Sequence, residues 1–152
     1  MTTHDLPTLS GWWSGSDIDL RSRLALYPDE PTRDRVAAER FRDREALLAA
    51  LAEQGIGHGD PAGDGGELAR AIHVCLARSN SALVVLQVED LLGMRDAVNV
   101  PGTSDEHANW QRKVSRDIED LLGDPWVGRT LREVDVARAG GVAGGADDTG
   151  TG

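Results

Sequence analysis

The chain has 152 residues, which suits one compact domain and falls well short of the roughly 250 residues of a closed (β/α)8 barrel. Sixteen Lys and Arg against 26 Asp and Glu leave a formal net charge of −10, a balance that repels nucleic acid and anionic membrane alike. Hydrophobic residues make up 39%, no apolar run approaches the roughly 20 residues of a membrane span, and the single cysteine excludes an internal disulfide; with no signal-peptide pattern in Met1 to Ser10, a cytoplasmic protein is expected.

The opening, Thr2-Thr3-His4-Asp5-Leu6-Pro7-Thr8-Leu9-Ser10-Gly11-Trp12-Trp13, is dense in polar, rigid and aromatic residues. A carboxylate beside an imidazole suits adjacent sugar hydroxyls. The same two residues also suit the cap of a helix beginning near Pro7, where Asp is favoured and Pro tolerated. Trp12 and Trp13 fit a packed helix start, and could alternatively stack on sugar rings.

Further along, Leu47, Leu48 and Leu51 form an apolar stripe closed by Gly55, with Val36 and Phe41 in a turn or helix leading in. Six glycines between Gly55 and Gly66 mark a flexible connection. Glu67 to Arg78 predicts a helix with Leu68, Ala71, Ile72, Cys75 and Leu76 on one face, Cys75 serving as a small core residue. The period then changes. Ser81 to Val88 is a nearly continuous aliphatic run that predicts a strand buried in a parallel sheet, and Glu89 and Asp90 follow at its carboxyl end.

The segment Val98-Asn99-Val100-Pro101-Gly102-Thr103 carries a Pro-Gly turn, and a flanking Asn there can offer its amide to a polyol or simply close the turn. Asn109 fits the cap of a helix in which Trp110, Val114, Ile118, Leu121 and Leu122 recur, stopped by Gly123-Asp124-Pro125. A last helix is expected over about Trp126 to Ala137, then a disordered tail over 139–152. His4, His58, His73 and His107 form no i, i+4 pair and no cluster with cysteine, so no metal site is expected.

Taken together, the opening and the Asn99 segment resemble the amylomaltases, the 4-α-glucanotransferases or disproportionating enzymes of glycoside hydrolase family 77. The resemblance runs through the Thr-His-Asp-x-x-Thr-x-x-Gly-Trp pattern of residues 3–12, Leu26-Tyr27-Pro28, the strand-like run with Gln87, Asp90 and Leu91, the Asn99 segment, and Asn109-Trp110, over roughly Thr2 to Leu122. It implies an α/β fold: the carboxyl-terminal portion of a (β/α)8 TIM barrel, helix-dominated and incomplete, over residues 1–138 with a flexible loop at 55–66. It also implies transfer of α-1,4-glucan segments between maltooligosaccharides with retention, without a cofactor.

By the same resemblance, Asp5 matches the family's transition-state-stabilising aspartate, and His4 and Asn99 match substrate-binding residues. The nucleophilic aspartate and the glutamate acid/base lie upstream of the His-Asp pair in the family, and no other carboxylate here matches them. The chain is therefore expected to be a carboxyl-terminal piece, inactive alone, with α-1,4-glucans and the missing upstream barrel as its partners. A non-catalytic acidic helical interaction module is the competing expectation.

Overall fold

A computed structural model describes residues 4–61 and 65–143. Met1 to Thr3, Ala62 to Asp64 of the glycine-rich connection and residues 144–152 of the expected tail lie outside the described residues. The elements are all helical: α1 (Leu9–Ser14), α2 (Ser16–Arg23), α3 (Glu30–Glu53), α4 (Gly66–Ala77), α5 (Val88–Leu91), α6 (Ile118–Gly123) and α7 (Pro125–Ala143). The chain divides into two compact units, residues 1–50 with 87–115, and residues 51–86 with 116–152.

In the first unit, α1 packs on α2 across Gly15, whose φ of 83° makes a left-handed corner between them. Asp17 and Asp19 lie in the first turn of α2 and Arg21 and Arg23 in the last, the charge order that the helix dipole favours. Asp29 caps α3 by accepting from the Thr32 backbone N–H at 2.7 Å, and α3 then runs unbroken through Val36, Phe41 and the Leu47-Leu48-Leu51 stripe. Arg40 of α3 grips Asp17 with two nitrogens, both at 2.8 Å, and donates to the Trp12 carbonyl at 2.6 Å. Its guanidinium lies 4.6 Å from the centre of the Trp12 ring, and that of Arg44 lies 5.5 Å from Trp13.

The second unit is a helix pair, α4 against α7, with α6 alongside α7. Leu68, Ala69, Ala71, Val74 and Ala77 of α4 and Val127 and Val134 of α7 are buried. Asp124 opens α7 by accepting from the backbone N–H groups of Trp126 at 2.8 Å and Val127 at 3.3 Å, while Pro125 takes the first helical position. Arg70 joins Glu67 at 2.8 Å to Glu133 at 2.5 Å, and Arg129 also reaches Glu67.

Four sequence expectations need correction. The run Ser81 to Val88 forms no strand: Leu83 to Gln87 has no regular structure, Val88 begins α5, and Leu83 and Val85 are 75% and 72% exposed. A strand is defined by a paired neighbour, and among the described residues no strand is formed. The helix expected from Trp110 shrinks to Ile118–Gly123, because Trp110 adopts a φ of 62°, which ends any right-handed helix. The last helix extends to Ala143, five residues into the stretch expected to be disordered. Cys75 is only half-buried, with its sulfur 3.5 Å from Gln54 Oε1, and Leu76 is exposed; the buried side of α4 is turned towards Ala69, His73 and Ala77.

Candidate functional site

The site lies within the first unit, where two segments far apart in sequence meet. Residues 4–11 form one wall. Thr8, rather than His4 or Asp5, is the cap of α1, its hydroxyl accepting from the Gly11 N–H at 3.1 Å. The same hydroxyl donates to the Arg95 carbonyl at 3.2 Å, which ties the start of α1 to the chain after α5. Gly11 is needed there: a Cβ would stand 2.5 Å from the Arg95 carbonyl oxygen.

Asp90 secures the same corner. Its Oδ1 accepts from the Leu9 N–H at 2.7 Å, and the residue is 5% exposed. Burial pushes its carboxyl above the ordinary aspartate range, partly offset by the Leu9 hydrogen bond. A buried acid placed on the orphan N–H groups of α1 therefore fixes where the preceding residues, His4 and Asp5, emerge.

The other wall is the loop from Val98 to Trp110. Asn109 caps no helix; it closes this loop, accepting from Val100 N–H at 2.9 Å and donating to Thr103 Oγ1 at 2.8 Å. Thr103 in turn donates to the Val100 carbonyl at 2.7 Å, and Trp110 N–H donates to the Val98 carbonyl at 3.0 Å. Val100 is buried beneath this network, which leaves Asn99 projecting beside it.

The two walls meet at the three residues expected from sequence. Asn99 Nδ2 donates to Asp5 Oδ1 at 2.7 Å, and His4 Nε2 lies 3.3 Å from Asp5 Oδ2. The Trp110 ring stands 5.1 Å from the His4 ring, tilted by 48°. The His4 and Asp5 side chains are 58% and 49% exposed, so the cluster is an open shelf and not an enclosed cavity. It offers a carboxylate acceptor, an amide and an imidazole to one ligand, beside an aromatic face. Among the described residues there is no group of three or more His, Cys, Asp or Glu arranged to hold a metal ion, and no helix long and apolar enough to cross a membrane.

The sequence places Asp90 at the end of the aliphatic run without revealing its grip on Leu9, its spacing puts Trp110 in a helix, and Thr8 enters only through the family pattern. The Thr-x-x-Gly spacing of Thr8 and Gly11 was the available signal for the cap.

The chain is helix-rich and gathers an Asp-His pair and an asparagine amide from distant segments. Comparison with known proteins identifies its family. A sequence profile of 4-alpha-glucanotransferases matches residues 1–119. The chain is 33% identical over 128 residues to a 4-alpha-glucanotransferase of Haemophilus influenzae, covering 80% of this chain and 18% of that protein. It is 34% identical over 111 residues to a 4-alpha-glucanotransferase of Mycobacterium bovis, covering 73% of this chain and 15% of the relative. It superposes on the crystal structure of amylomaltase from Corynebacterium glutamicum with a TM-score of 0.74 and 28% identity, over 88% of this chain and 21% of that one. The chain belongs to the 4-alpha-glucanotransferase family, glycoside hydrolase family 77. It spans less than a fifth of the length of the two relatives and about a fifth of the amylomaltase.

Proposed function

We infer that the chain supplies the sugar-holding part of a 4-α-glucanotransferase site, in a cytoplasmic enzyme that passes α-1,4-glucan segments between maltooligosaccharides. The observation that carries this reading is the meeting of Asp5, His4 and Asn99, with Asn99 Nδ2 2.7 Å from Asp5 Oδ1 across 94 positions of sequence. Asp5 accepts hydrogen bonds from vicinal hydroxyls of the glucosyl unit at the reacting bond. Those bonds strengthen as the ring flattens towards an oxocarbenium ion, and they supply several kcal/mol to the transition state. Asn99 orients the Asp5 carboxylate and offers its remaining amide capacity to the sugar, and His4 binds beside it.

Retention needs two further carboxyl groups about 5–5.5 Å apart, one as nucleophile and one as acid and then base. Neither role falls to a residue of this sequence. Asp90 is engaged by Leu9 N–H, and Glu89 lies 3.9 Å from Arg112. The 152-residue chain by itself therefore leaves maltooligosaccharides unchanged. Its aliphatic Leu83 to Gln87 stretch, which forms no strand here, is expected to pair only when the upstream barrel strands are supplied; the exposure of Leu83 and Val85 supports that reading.

The test is complementation. The chain is combined with the upstream barrel of a family member, and glucose and longer maltodextrins formed from maltotriose are scored. Activity is expected only in the mixture, and Asp5→Asn is expected to lower it by at least about a hundredfold, the loss typical of one transition-state hydrogen-bonding group. Reconstituted activity indifferent to Asp5→Asn would remove the role given to Asp5. Disproportionation by the chain alone would remove the claim of incompleteness.

A further inference from the structure

Of the four tryptophans, Trp12, Trp13 and Trp126 are at least half covered, and Trp110 is 61% exposed. The guanidinium groups of Arg40 and Arg44 cover Trp12 and Trp13. Nothing comparable covers Trp110 among the described contacts. Leaving so large an apolar side chain in water forgoes the stabilisation that burial would give.

The backbone at Trp110 is also held in a conformation that bulky residues avoid. Its φ is 62°, and such a left-handed non-glycine residue carries backbone strain. The conformation persists because the loop over-determines it. Trp110 N–H is bonded to the Val98 carbonyl, and the neighbouring Asn109 side chain is bonded to both Val100 and Thr103. The result is an indole presented to solvent, with its ring 5.1 Å from that of His4 and so beside the Asp5 and Asn99 pair.

We propose that Trp110 is a substrate-binding residue, an aromatic platform on which a glucosyl ring stacks while Asp5, His4 and Asn99 take its hydroxyls. The proposal rests on the glucan reading given above. A pyranose has a rim of hydroxyls and faces lined by C–H groups. The carboxylate, amide and imidazole match the rim, and a flat, rigid indole matches the face.

The experiment uses the complete chain, nitrogen-15 labelled, so that four indole N–H signals report the four tryptophans separately, and maltotriose is titrated to tens of millimolar. The Trp110 indole signal is expected to move with saturation while those of Trp12, Trp13 and Trp126 stay in place. Trp110→Phe, which keeps a flat ring, is expected to bind within about threefold of the parent. Trp110→Leu, which keeps an apolar side chain without the ring, is expected to bind about tenfold more weakly, the size of a single aromatic contact. The backbone signals of Val98, Val100 and Thr103 in both variants check that the loop is intact. Equal binding by Trp110→Leu, with Asp5→Asn and Asn99→Ala still impaired, overturns the platform and leaves the glucan reading standing. No response to maltotriose at Trp110, His4, Asp5 or Asn99 overturns both.

Discussion

The two units hold themselves together by different means. Unit two relies on apolar burial, with Leu68, Ala71, Val74, Ala77, Val127 and Val134 shielded along the α4 and α7 pair. Unit one buries few aliphatic side chains among its described residues, chiefly Ile18, Leu91 and Val100, and places directed polar contacts around them: Thr8 to Arg95, Asp90 to Leu9, Asn109 to Val100, Arg40 to Asp17. Hydrophobic contact is non-directional and tolerates small rearrangement, whereas hydrogen bonds fix angles. The unit that brings Asp5 and Asn99 together is the one whose few buried side chains are framed by directional bonds.

Breaking each unit at its own kind of joint tests this contrast. The largest effect is expected from Leu68→Ala in unit two, where a side chain only 2% exposed is removed. Such a truncation costs about 2–5 kcal/mol, measured by urea unfolding followed at Trp126. The Asn99 side-chain amide signal should remain that of the parent. Next comes Gly11→Ala in unit one, whose new Cβ would meet the Arg95 carbonyl oxygen at 2.5 Å and Thr8 Oγ1 at 3.0 Å. A backbone oxygen cannot swing aside as a side-chain tip can, so a loss of about 1–3 kcal/mol is expected, seen first at Trp12 and Trp13. If either variant disturbed the tryptophans of both units equally, the separation drawn between them would fail.

These effects also explain how far the sequence could be read. The α4 helix and the α3 stripe were legible because their cause is local: apolar residues at helical spacing, bounded by glycine. The convergence of His4, Asp5 and Asn99 was legible only through family resemblance, since no periodicity links positions 94 apart. Trp110 was misread as helical because its spacing to Val114 and Ile118 is right, while a bond from its N–H to the distant Val98 carbonyl sets the φ. Leu83 to Gln87 has the composition of a strand, yet pairing depends on a neighbour that local sequence does not specify. On α4, the buried side at Ala69, His73 and Ala77 was missed for a similar reason: packing against α7 decides it.

A smaller effect is expected from loosening the Asn109 clamp. Asn109→Ala leaves Val100 N–H without its acceptor and removes the bond donated to Thr103 Oγ1, which keeps its own bond to the Val100 carbonyl, at about 1–3 kcal/mol. Because Asn99 and Trp110 flank that loop, maltotriose affinity should fall together with loop order, as read by amide exchange at Val100. Asn109→Asp keeps the acceptor for Val100 and loses the donor to Thr103, so it should lie between parent and Ala. Affinity that fell as far with Asp as with Ala would point to the Thr103 bond as the one that matters.

The smallest effects are in pH dependence, and there the two units should differ in sign. His73 of α4 is 4% exposed with no partner at Nδ1, and burial holds its pKa below the ordinary histidine value. As pH falls below that ordinary value the unfolded chain takes up a proton that the folded chain refuses, so unit two loses stability down to the depressed folded pKa. Glu67, held low by its hydrogen bond from Arg70, adds a loss of the same sign at lower pH. Asp90 in unit one behaves oppositely: its carboxyl is raised, so the folded state keeps its proton to higher pH than the unfolded chain does. Its contribution is fullest below the ordinary aspartate pKa and is lost as pH rises through the raised value. Asp90→Asn, which retains an acceptor for Leu9 N–H, should remove that limb, and comparison with the parent separates it from Asp29 and Glu106, whose lowered carboxyls slope the other way. His73→Gln should flatten the acid limb of unit two. Each is expected to change Tm by about 2–4 °C at the affected pH, followed at Trp126 for His73 and at Trp12 and Trp13 for Asp90. Limbs of the same sign in both units would mean that neither buried group governs its own unit, and the contrast between a directional and an apolar core would lose its electrostatic half.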